Sequence, residues 1–272
     1  MVMTNEFLQR PGCKIAYELR GAGEPVLFIQ GVGVHGDGWL PQVEALSARF
    51  QCLTFDNRGM GASTPLTVPL TMDSMTEDAL TLMDAAGWQS AHVVGHSMGS
   101  LLAMKLAIDA PQRVRSLALL CAFPNGRDAT ALSARMLWLG MRSRIGTRRM
   151  RRNAFLEIIM APAGLAGADR DALAAKFAPL FGHDLADQPP IVMKQLSCMR
   201  GYNALPRLGE LGGIRTLAVS AAHDPIAPPR HGRAIADAIP GARYVEFADA
   251  SHGLPISHSA QINELLTNHF QT

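Results

Sequence analysis

One five-residue segment, 95–99, constrains the fold of this chain more than any other part of the sequence. It reads Gly-His-Ser-Met-Gly and lies between an apolar run at 91–94 and a helix-like stretch at 100–107. This order predicts a strand, a sharp turn with Ser97 at its apex, and a helix, which is the context that the G-x-S-x-G nucleophile motif requires. We expect both glycines to be needed, because the serine is strained and a flanking Cβ would collide with the adjoining strand or helix.

The same alternation of short apolar strands and helices continues along the chain. Strands are predicted at 12–20, 26–29, 52–55, 116–121, 216–220 and 244–247, and helices at 38–49, 72–86, 230–238 and 257–269. The first strand alternates as antiparallel strands do, whereas the run at 26–29 is apolar throughout, as in a strand that is buried on both faces. The pattern predicts an α/β fold, with a mostly parallel central sheet flanked by helices.

The pattern changes between residues 125 and 205. No convincing strand is found there, and the helix-like segments are broken by Gly146 and by several prolines. We predict a helical insertion, 125–205, between a first core part, 1–124, and a second core part, 206–272. A length of 272 residues is compatible with one large α/β domain that carries such an insertion.

Composition excludes several classes of function. A formal net charge of +2 is too small to favour a nucleic acid as partner. The N-terminus has no signal-peptide pattern, and no apolar run is long enough to cross a bilayer, so we expect a cytoplasmic protein without a transmembrane segment. The cysteines lack metal or disulfide spacing and are expected to be buried, reduced thiols. They are Cys13, Cys52, Cys121 and Cys198.

An acid and a histidine follow the serine, each in a loop that leaves a predicted strand. Asp224 follows the strand at 216–220, and His252 follows the strand at 244–247. A serine hydroxyl is a poor nucleophile until a base removes its proton, and that base needs a third group to fix its tautomer. We therefore predict a catalytic triad of Ser97, His252 and Asp224.

Four motifs carry a family resemblance. They are the segment 95–99, the D-x-R-G-x-G-x-S turn at 56–63, Asp224 with Pro228, and Ser-His-Gly at 251–253. Together they make the chain resemble the α/β-hydrolase fold family, particularly its branch of small capped esterases, lactonases and C–C hydrolases. The resemblance covers essentially the whole chain and is weakest over the insertion, which would be the cap.

The resemblance also implies an oxyanion hole. Family members usually carry His-Gly after the second core strand, and this chain has Gln30 and Gly31 there. The backbone N–H groups of Val32 and Met98 would form the hole. Backbone donors survive a change of side chain, but Gln30 changes the hydrogen bonds that would orient this loop.

Substrate contacts are expected from Gln30, His35, Phe123 and Trp138. An apolar run in the insertion would roof the site: Met136, Leu137, Trp138, Leu139 and Met141. The insertion is also rich in arginine, at Arg127, Arg135, Arg142, Arg144, Arg148, Arg149, Arg151 and Arg152. This stretch reads as a solvated helix face, as a docking surface for an anionic partner or membrane, or as the source of one inward arginine for a substrate carboxylate.

These observations predict a serine hydrolase that cleaves small to medium carboxylic esters or lactones through an acyl-enzyme. We expect no cofactor and no metal, since His35 and Asp37 have no further ligands at suitable spacing. The alternatives are a C–C bond hydrolase of meta-cleavage-product type, a cofactor-free perhydrolase, and a small-ligand-binding protein with incidental turnover. A homodimer is left open.

Overall fold

An eight-stranded sheet forms the centre of the protein. The computed structural model describes residues 6–130 and 133–271. The strands are β1 (Glu6–Arg10), β2 (Cys13–Arg20), β3 (Glu24–Ile29), β4 (Phe50–Phe55), β5 (Ala91–His96), β6 (Val114–Leu120), β7 (Arg215–Ala221) and β8 (Arg243–Phe247).

The strand order is β1-β2-β4-β3-β5-β6-β7-β8. β1 pairs with β2, and β2 with β4, in antiparallel fashion, whereas every later pair is parallel. The predicted mostly parallel α/β sheet is therefore confirmed. The sequence prediction missed β1, which lies at the sheet edge with its side chains largely exposed.

Helices flank the sheet and fill the connections between strands. The bounds are α1 (Leu40–Leu46), α2 (Met72–Ala85), α3 (Met98–Asp109), α4 (Gly126–Thr130), α5 (Ala134–Arg142), α6 (Arg148–Ile159), α7 (Pro162–Leu165), α8 (Arg170–Phe181), α9 (Val192–Arg200), α10 (Pro229–Ala238), α11 (Leu254–Ser257) and α12 (Ser259–Gln271). α3 is the most deeply buried helix, because every residue from Met98 to Ile108 is buried. A helix that is apolar on all sides belongs to the interior of the core.

Six helices, α4 to α9, lie between β6 and β7, and we call them the helical insertion. Within the described part of this segment there is no strand, as the sequence predicts. Residues of the insertion form most of a second apolar cluster, which also includes Val34 of the core and has as members Leu139, Leu156, Phe177, Phe181 and Leu185. The insertion is therefore a packed unit and not a long loop.

The turn at 56–63 braces the sheet edge that faces the insertion. Asp56 accepts hydrogen bonds from the backbone N–H groups of Gly36 and Ala62, both within 2.9 Å. The buried guanidinium of Arg58 binds Asp78 of α2 through two hydrogen bonds of 2.6 and 2.5 Å. In a buried ion pair of this geometry, each partner satisfies hydrogen-bonding groups of the other. The pair therefore fixes the shape of the turn.

All four cysteines are free thiols, and all except the half-buried Cys198 are buried. Over residues 6–130 and 133–271, no helix is both long and apolar enough to cross a membrane.

Candidate active site

Ser97 occupies a strained turn between β5 and α3. Its φ of 56° and ψ of −121° lie outside the regions that residues with a side chain ordinarily adopt. A Cβ on Gly95 would lie 2.3 Å from the Gly99 carbonyl oxygen, and a Cβ on Gly99 would lie 2.0 Å from the Ile29 carbonyl oxygen. Both glycines are needed, as the sequence predicts, because the helix and the neighbouring strand approach the turn too closely for any side chain.

The structure brings Ser97, His252 and Asp224 into one chain of hydrogen bonds. His252 Nε2 lies 2.9 Å from Ser97 Oγ, and His252 Nδ1 lies 2.7 Å from Asp224 Oδ2. All three side chains are buried. Because Nδ1 faces a carboxylate, it carries the imidazole proton, which leaves the Nε2 lone pair directed at the serine hydroxyl. This arrangement can move a proton from Ser97 to His252.

Asp224 is held as a carboxylate by its surroundings. Its Oδ1 accepts hydrogen bonds of 2.8 Å from the backbone N–H groups of Ile226 and Ala227. Burial alone would raise the pKa of Asp224, but the charge of His252 and these hydrogen bonds outweigh it and lower that pKa below the usual value. The acid therefore stays ionised while it orients His252.

The loop that carries His252 is fastened on two sides. His96 donates from Nε2 to the His252 carbonyl oxygen at 2.8 Å, and Gly253 N–H donates to the carbonyl oxygen of Ile159 in α6 at 2.9 Å. Burial and the neighbouring charge of His252 lower the pKa of His96 to about 3, so its ring stays neutral. His96 thus packs beneath the turn and holds the loop, as the sequence analysis expects.

One predicted oxyanion donor, the Val32 N–H, lies in the loop that follows β3, and the other, the Met98 N–H, lies at the start of α3. In the part of the chain that the structure describes, neither the Val32 N–H nor the Met98 N–H has an acceptor, so both are free to donate. Gln30 stands where family members usually have histidine, and it helps to orient this loop, because its Oε1 accepts a hydrogen bond from the Gly31 N–H at 3.1 Å. Asn57 holds the same loop by donating to the Gln30 carbonyl oxygen at 3.1 Å.

Two residues of the helical insertion, which the sequence did not predict, bind the loop after β3. Gly33 N–H donates to the side-chain oxygen of Gln195 in α9 at 2.9 Å, and His183 Nε2 donates to the Gly33 carbonyl oxygen at 3.0 Å. Both polar groups of the Gly33 residue are therefore bound by the insertion. The partners lie 162 and 150 positions away, and no local sequence signal points to either of them.

A cavity of about 590 Å³ opens over Ser97 and His252. Its lining includes Gln30 and Phe123, two of the residues expected to contact the substrate, and its walls are mainly apolar. Among the wall residues are Met136, Leu137, Met141, Phe155, Phe181 and Leu196. A cavity of this size and lining is typical of a site for a small, largely apolar molecule.

Two predicted substrate contacts lie elsewhere. His35 lines a separate cavity of about 220 Å³ and packs so closely under Gly182 that a Cβ there would lie 2.1 Å from its Nδ1. Trp138 is 55% exposed, and the Arg142 guanidinium lies 5.7 Å from its ring. Both are close in sequence to cavity residues, but the loop and the helix turn their side chains away. Leu139 also differs from the predicted roof, because it is buried inside the insertion.

The arginine-rich stretch divides into paired and cavity-facing members. Arg148 and Arg152 bind Asp184, and Arg149 binds Asp171. Arg144 lines the cavity, and its guanidinium donates to the sulfur of Met193 at 3.3 Å. Four of the eight arginines, counting Arg142 with Glu157, therefore pair with carboxylates of the described residues, and one lies at the cavity mouth.

A group of possible metal ligands shares one residue, His252, with the hydrogen-bonded chain of Ser97, His252 and Asp224. Ligand atoms of His96, Cys121 and His252 lie within 4.8 Å of one another. Both His252 nitrogens already bind Asp224 and Ser97, and His96 Nε2 donates to a carbonyl oxygen. Burial raises the pKa of the Cys121 thiol well above its usual value, so the thiol keeps its proton. The donor set fits a proton-transfer site better than a cation site, because zinc needs free nitrogen or thiolate lone pairs.

Comparisons with known proteins agree with this architecture. A family model described as the alpha/beta hydrolase fold matches residues 24–259. An Azorhizobium caulinodans protein named as carbamate hydrolase RutD is 28% identical over 250 residues, with 92% of each chain covered. A Mycobacterium tuberculosis protein named as non-heme bromoperoxidase BpoC is 31% identical over 252 residues, covering 88% of this chain and 90% of that one.

A solved structure extends the likeness to the whole chain. The enol-lactonase from Burkholderia xenovorans superposes with a TM-score of 0.81 at 25% identity, covering 98% of this chain and 100% of that one. The fold of essentially the whole chain therefore recurs in a protein named as an enol-lactonase.

Proposed function

Because this chain belongs to the alpha/beta hydrolase fold family and is a hydrolase, we propose that it cleaves small to medium carboxylic esters or lactones, with Ser97 as the nucleophile. The observation that carries the proposal is the unbroken chain of hydrogen bonds from Ser97 through His252 to Asp224. The division of the chain into core parts 1–124 and 206–272 and a cap at 125–205 is part of this proposal.

The reaction uses each group in turn. Ser97 Oγ attacks the ester carbonyl carbon while His252 Nε2 takes its proton, and Asp224 stabilises the imidazolium that forms. His252 then gives that proton to the leaving alcohol, which leaves an acyl-enzyme on Ser97. Water, deprotonated by His252, attacks the acyl carbon and releases the acid, and Ser97 regains its proton.

The developing negative charge on the carbonyl oxygen is stabilised by the N–H groups of Val32 and Met98. These N–H groups stabilise the transition state because they are fixed, and have no other acceptor, before the substrate arrives. No reorganisation of the protein is then needed in the transition state. The hydrogen bonds of Gln30 and Asn57 support this assignment, because they hold the Val32 loop in one position. So do the bonds of Gln195 and His183 to Gly33, which we call the Gly33 clamp.

The cavity favours substrates with an apolar acyl or alcohol group. Assays should use p-nitrophenyl esters from acetate to decanoate. Each buried methylene contributes about 0.8 kcal/mol, so kcat/KM is expected to rise roughly fourfold per methylene until the 590 Å³ cavity is filled. A profile that is highest for acetate would contradict the assignment of this cavity to the acyl group.

Assays of several substrates and ligands on the same preparation distinguish the alternative functions. Turnover of a ring-cleavage product with no ester hydrolysis would identify a C–C hydrolase. A ligand that raises the melting temperature without being consumed would identify a binding protein.

Cofactor-free perhydrolysis is the second candidate, because a relative at 31% identity is named as a bromoperoxidase. Peroxide-dependent halogenation in acetate that exceeds ester hydrolysis would favour it.

On the acid side, the profile of kcat/KM against pH should show the uptake of a single proton. Protonated His252 cannot accept the Ser97 proton, so kcat/KM should fall tenfold per pH unit on the acid side. Asp224 has a lowered pKa and stays ionised as the pH falls, and His96, with a pKa of about 3, stays neutral, so neither adds a second ionisation there.

The measurement is kcat/KM for p-nitrophenyl butyrate across acidic and neutral pH, with the melting temperature recorded at each point. A slope of two, or a flat profile at pH values where the protein stays folded, would contradict the role given to His252.

A further inference from the structure

Exposed apolar side chains are concentrated around the mouth of the cavity. Leu137, Trp138, Met141, Ile145 and Met193, which we call the rim patch, are 45% to 65% exposed. Outside it, the described residues have four other exposed large hydrophobic side chains, which are Phe7, Val68, Met150 and Leu205. Apolar clusters on a surface mark sites of interaction, whereas single exposed apolar residues are ordinary.

The rim patch is continuous with the candidate active site. All of its members except Trp138 also line the cavity over Ser97. Trp138 is the next residue after Leu137 on α5, and Arg144 links the turn after α5 to Met193 of α9 at 3.3 Å. An apolar group that rests on this patch is therefore at the entrance to the cavity.

Positive charge borders the patch. Between Asp128 and Glu157 the chain has seven arginines and no acidic residue. Four of these arginines have a carboxylate within 4 Å, and they are Arg142, Arg148, Arg149 and Arg152. Arg135 and Arg144 have no carboxylate partner among the described residues. At 100° per residue, Arg135 and Arg142 fall on the arc of α5 next to the one that carries Leu137, Trp138 and Met141.

This combination fits a lipid surface better than a second copy of the chain. A helix with an apolar arc, an interfacial tryptophan and flanking arginines is the pattern of segments that lie in the headgroup region of a bilayer. Anionic headgroups attract the arginines, whereas a symmetric dimer through the same patch would bring Arg135 and Arg144 close to their own copies.

We propose that the rim patch, with Arg135, Arg142 and Arg144, docks on a lipid surface that carries anionic headgroups, and that the substrate enters the cavity from that surface. The entry of an ester rests on the proposed function, but the docking does not. The substrate class is then an amphiphilic ester or lactone whose apolar part is already dissolved in the lipid.

Trp138 supplies a built-in reporter for the docking. The chain has three tryptophans, and Trp39 and Trp88 are buried. Adding vesicles of phosphatidylcholine and phosphatidylglycerol should shift the Trp138 emission to shorter wavelengths, and lipids with brominated chains should quench it. Pure phosphatidylcholine vesicles should have a much smaller effect, and added salt should weaken the binding. An unshifted spectrum with the anionic vesicles would overturn the proposal.

A paired variant tests the surface without touching the cavity lining. Trp138→Ser with Arg135→Glu should lower co-sedimentation with anionic vesicles by about tenfold or more, since it removes the interfacial aromatic and reverses one charge. Hydrolysis of dissolved p-nitrophenyl butyrate should be unchanged, because neither residue lines the cavity. Phe7→Ser with Leu205→Ser, which removes exposed apolar side chains elsewhere, should bind vesicles like the wild type.

Other outcomes separate the explanations. If the wild type is a dimer that the Trp138→Ser and Arg135→Glu changes dissociate, and it does not bind vesicles, the patch is an interface between copies and the proposal is wrong. Equal binding of the paired variant and the wild type would also overturn it. Vesicle binding without any ester hydrolysis would leave the docking standing and refute the proposed function.

Discussion

Replacing Ser97 by alanine should lower kcat/KM for p-nitrophenyl butyrate by at least about 10⁴-fold. The substitution removes the attacking oxygen and leaves only the binding and oxyanion donors, which contribute a small residual rate. Folding should be intact, because the alanine Cβ occupies the same position in the turn and the Ser97 hydroxyl has His252 as its hydrogen-bonding partner. Steady-state kinetics and thermal unfolding measured on the same preparation test this.

A matched control is Ser90→Ala. This serine precedes β5 and binds Arg115 near the surface, far from the cavity lining. Its removal should leave kcat/KM within about twofold of the wild type, as is usual for a surface substitution. Ester hydrolysis by the Ser97→Ala protein at a tenth or more of the wild-type rate would mean that another group is the nucleophile.

Replacing Asp224 by asparagine should lower kcat by about 10³- to 10⁴-fold with little change in KM. The N–H groups of Ile226 and Ala227 fix an oxygen at the Oδ1 position, so the new amide NH₂ must face His252 Nδ1. That contact favours the tautomer with its proton on Nε2, and this nitrogen can then no longer accept the Ser97 proton.

Asp249→Asn is the comparison for this variant. Asp249 lies in the same loop as His252, but its side chain is exposed and pairs with His258 at 3.2 Å. Neutralising it should leave kcat nearly unchanged. If the two aspartate variants lost activity equally, net charge around the loop rather than the tautomer of His252 would control the rate.

The positions of the triad residues could be predicted because they depend on topology. Ser97, Asp224 and His252 each follow a strand, and the carboxyl ends of parallel strands meet at one edge of a sheet. The strand pattern of the sequence, with the order of the serine, the acid and the histidine along the chain, is therefore enough to predict that these three distant side chains meet.

Contacts that depend on the insertion could not be predicted in this way. Gln195 reaches Gly33 from α9 and His183 from the loop after α8, and the packing of both is set by tertiary contacts, not by a local pattern. His35 and Trp138 illustrate the opposite error. They are neighbours in sequence of residues that line the cavity, but the direction of a side chain depends on its position within the loop or helix turn.

The clamp on Gly33 also bears on how this enzyme would lose activity. Local unfolding of α9, or of the segment that holds His183, removes the partners of the Gly33 N–H and carbonyl groups while the sheet stays intact. The loop with the Val32 N–H would then lose its fixed position. We therefore expect ester hydrolysis to be lost at a lower temperature or denaturant concentration than the one that unfolds the sheet, because the insertion can open while the core stays folded.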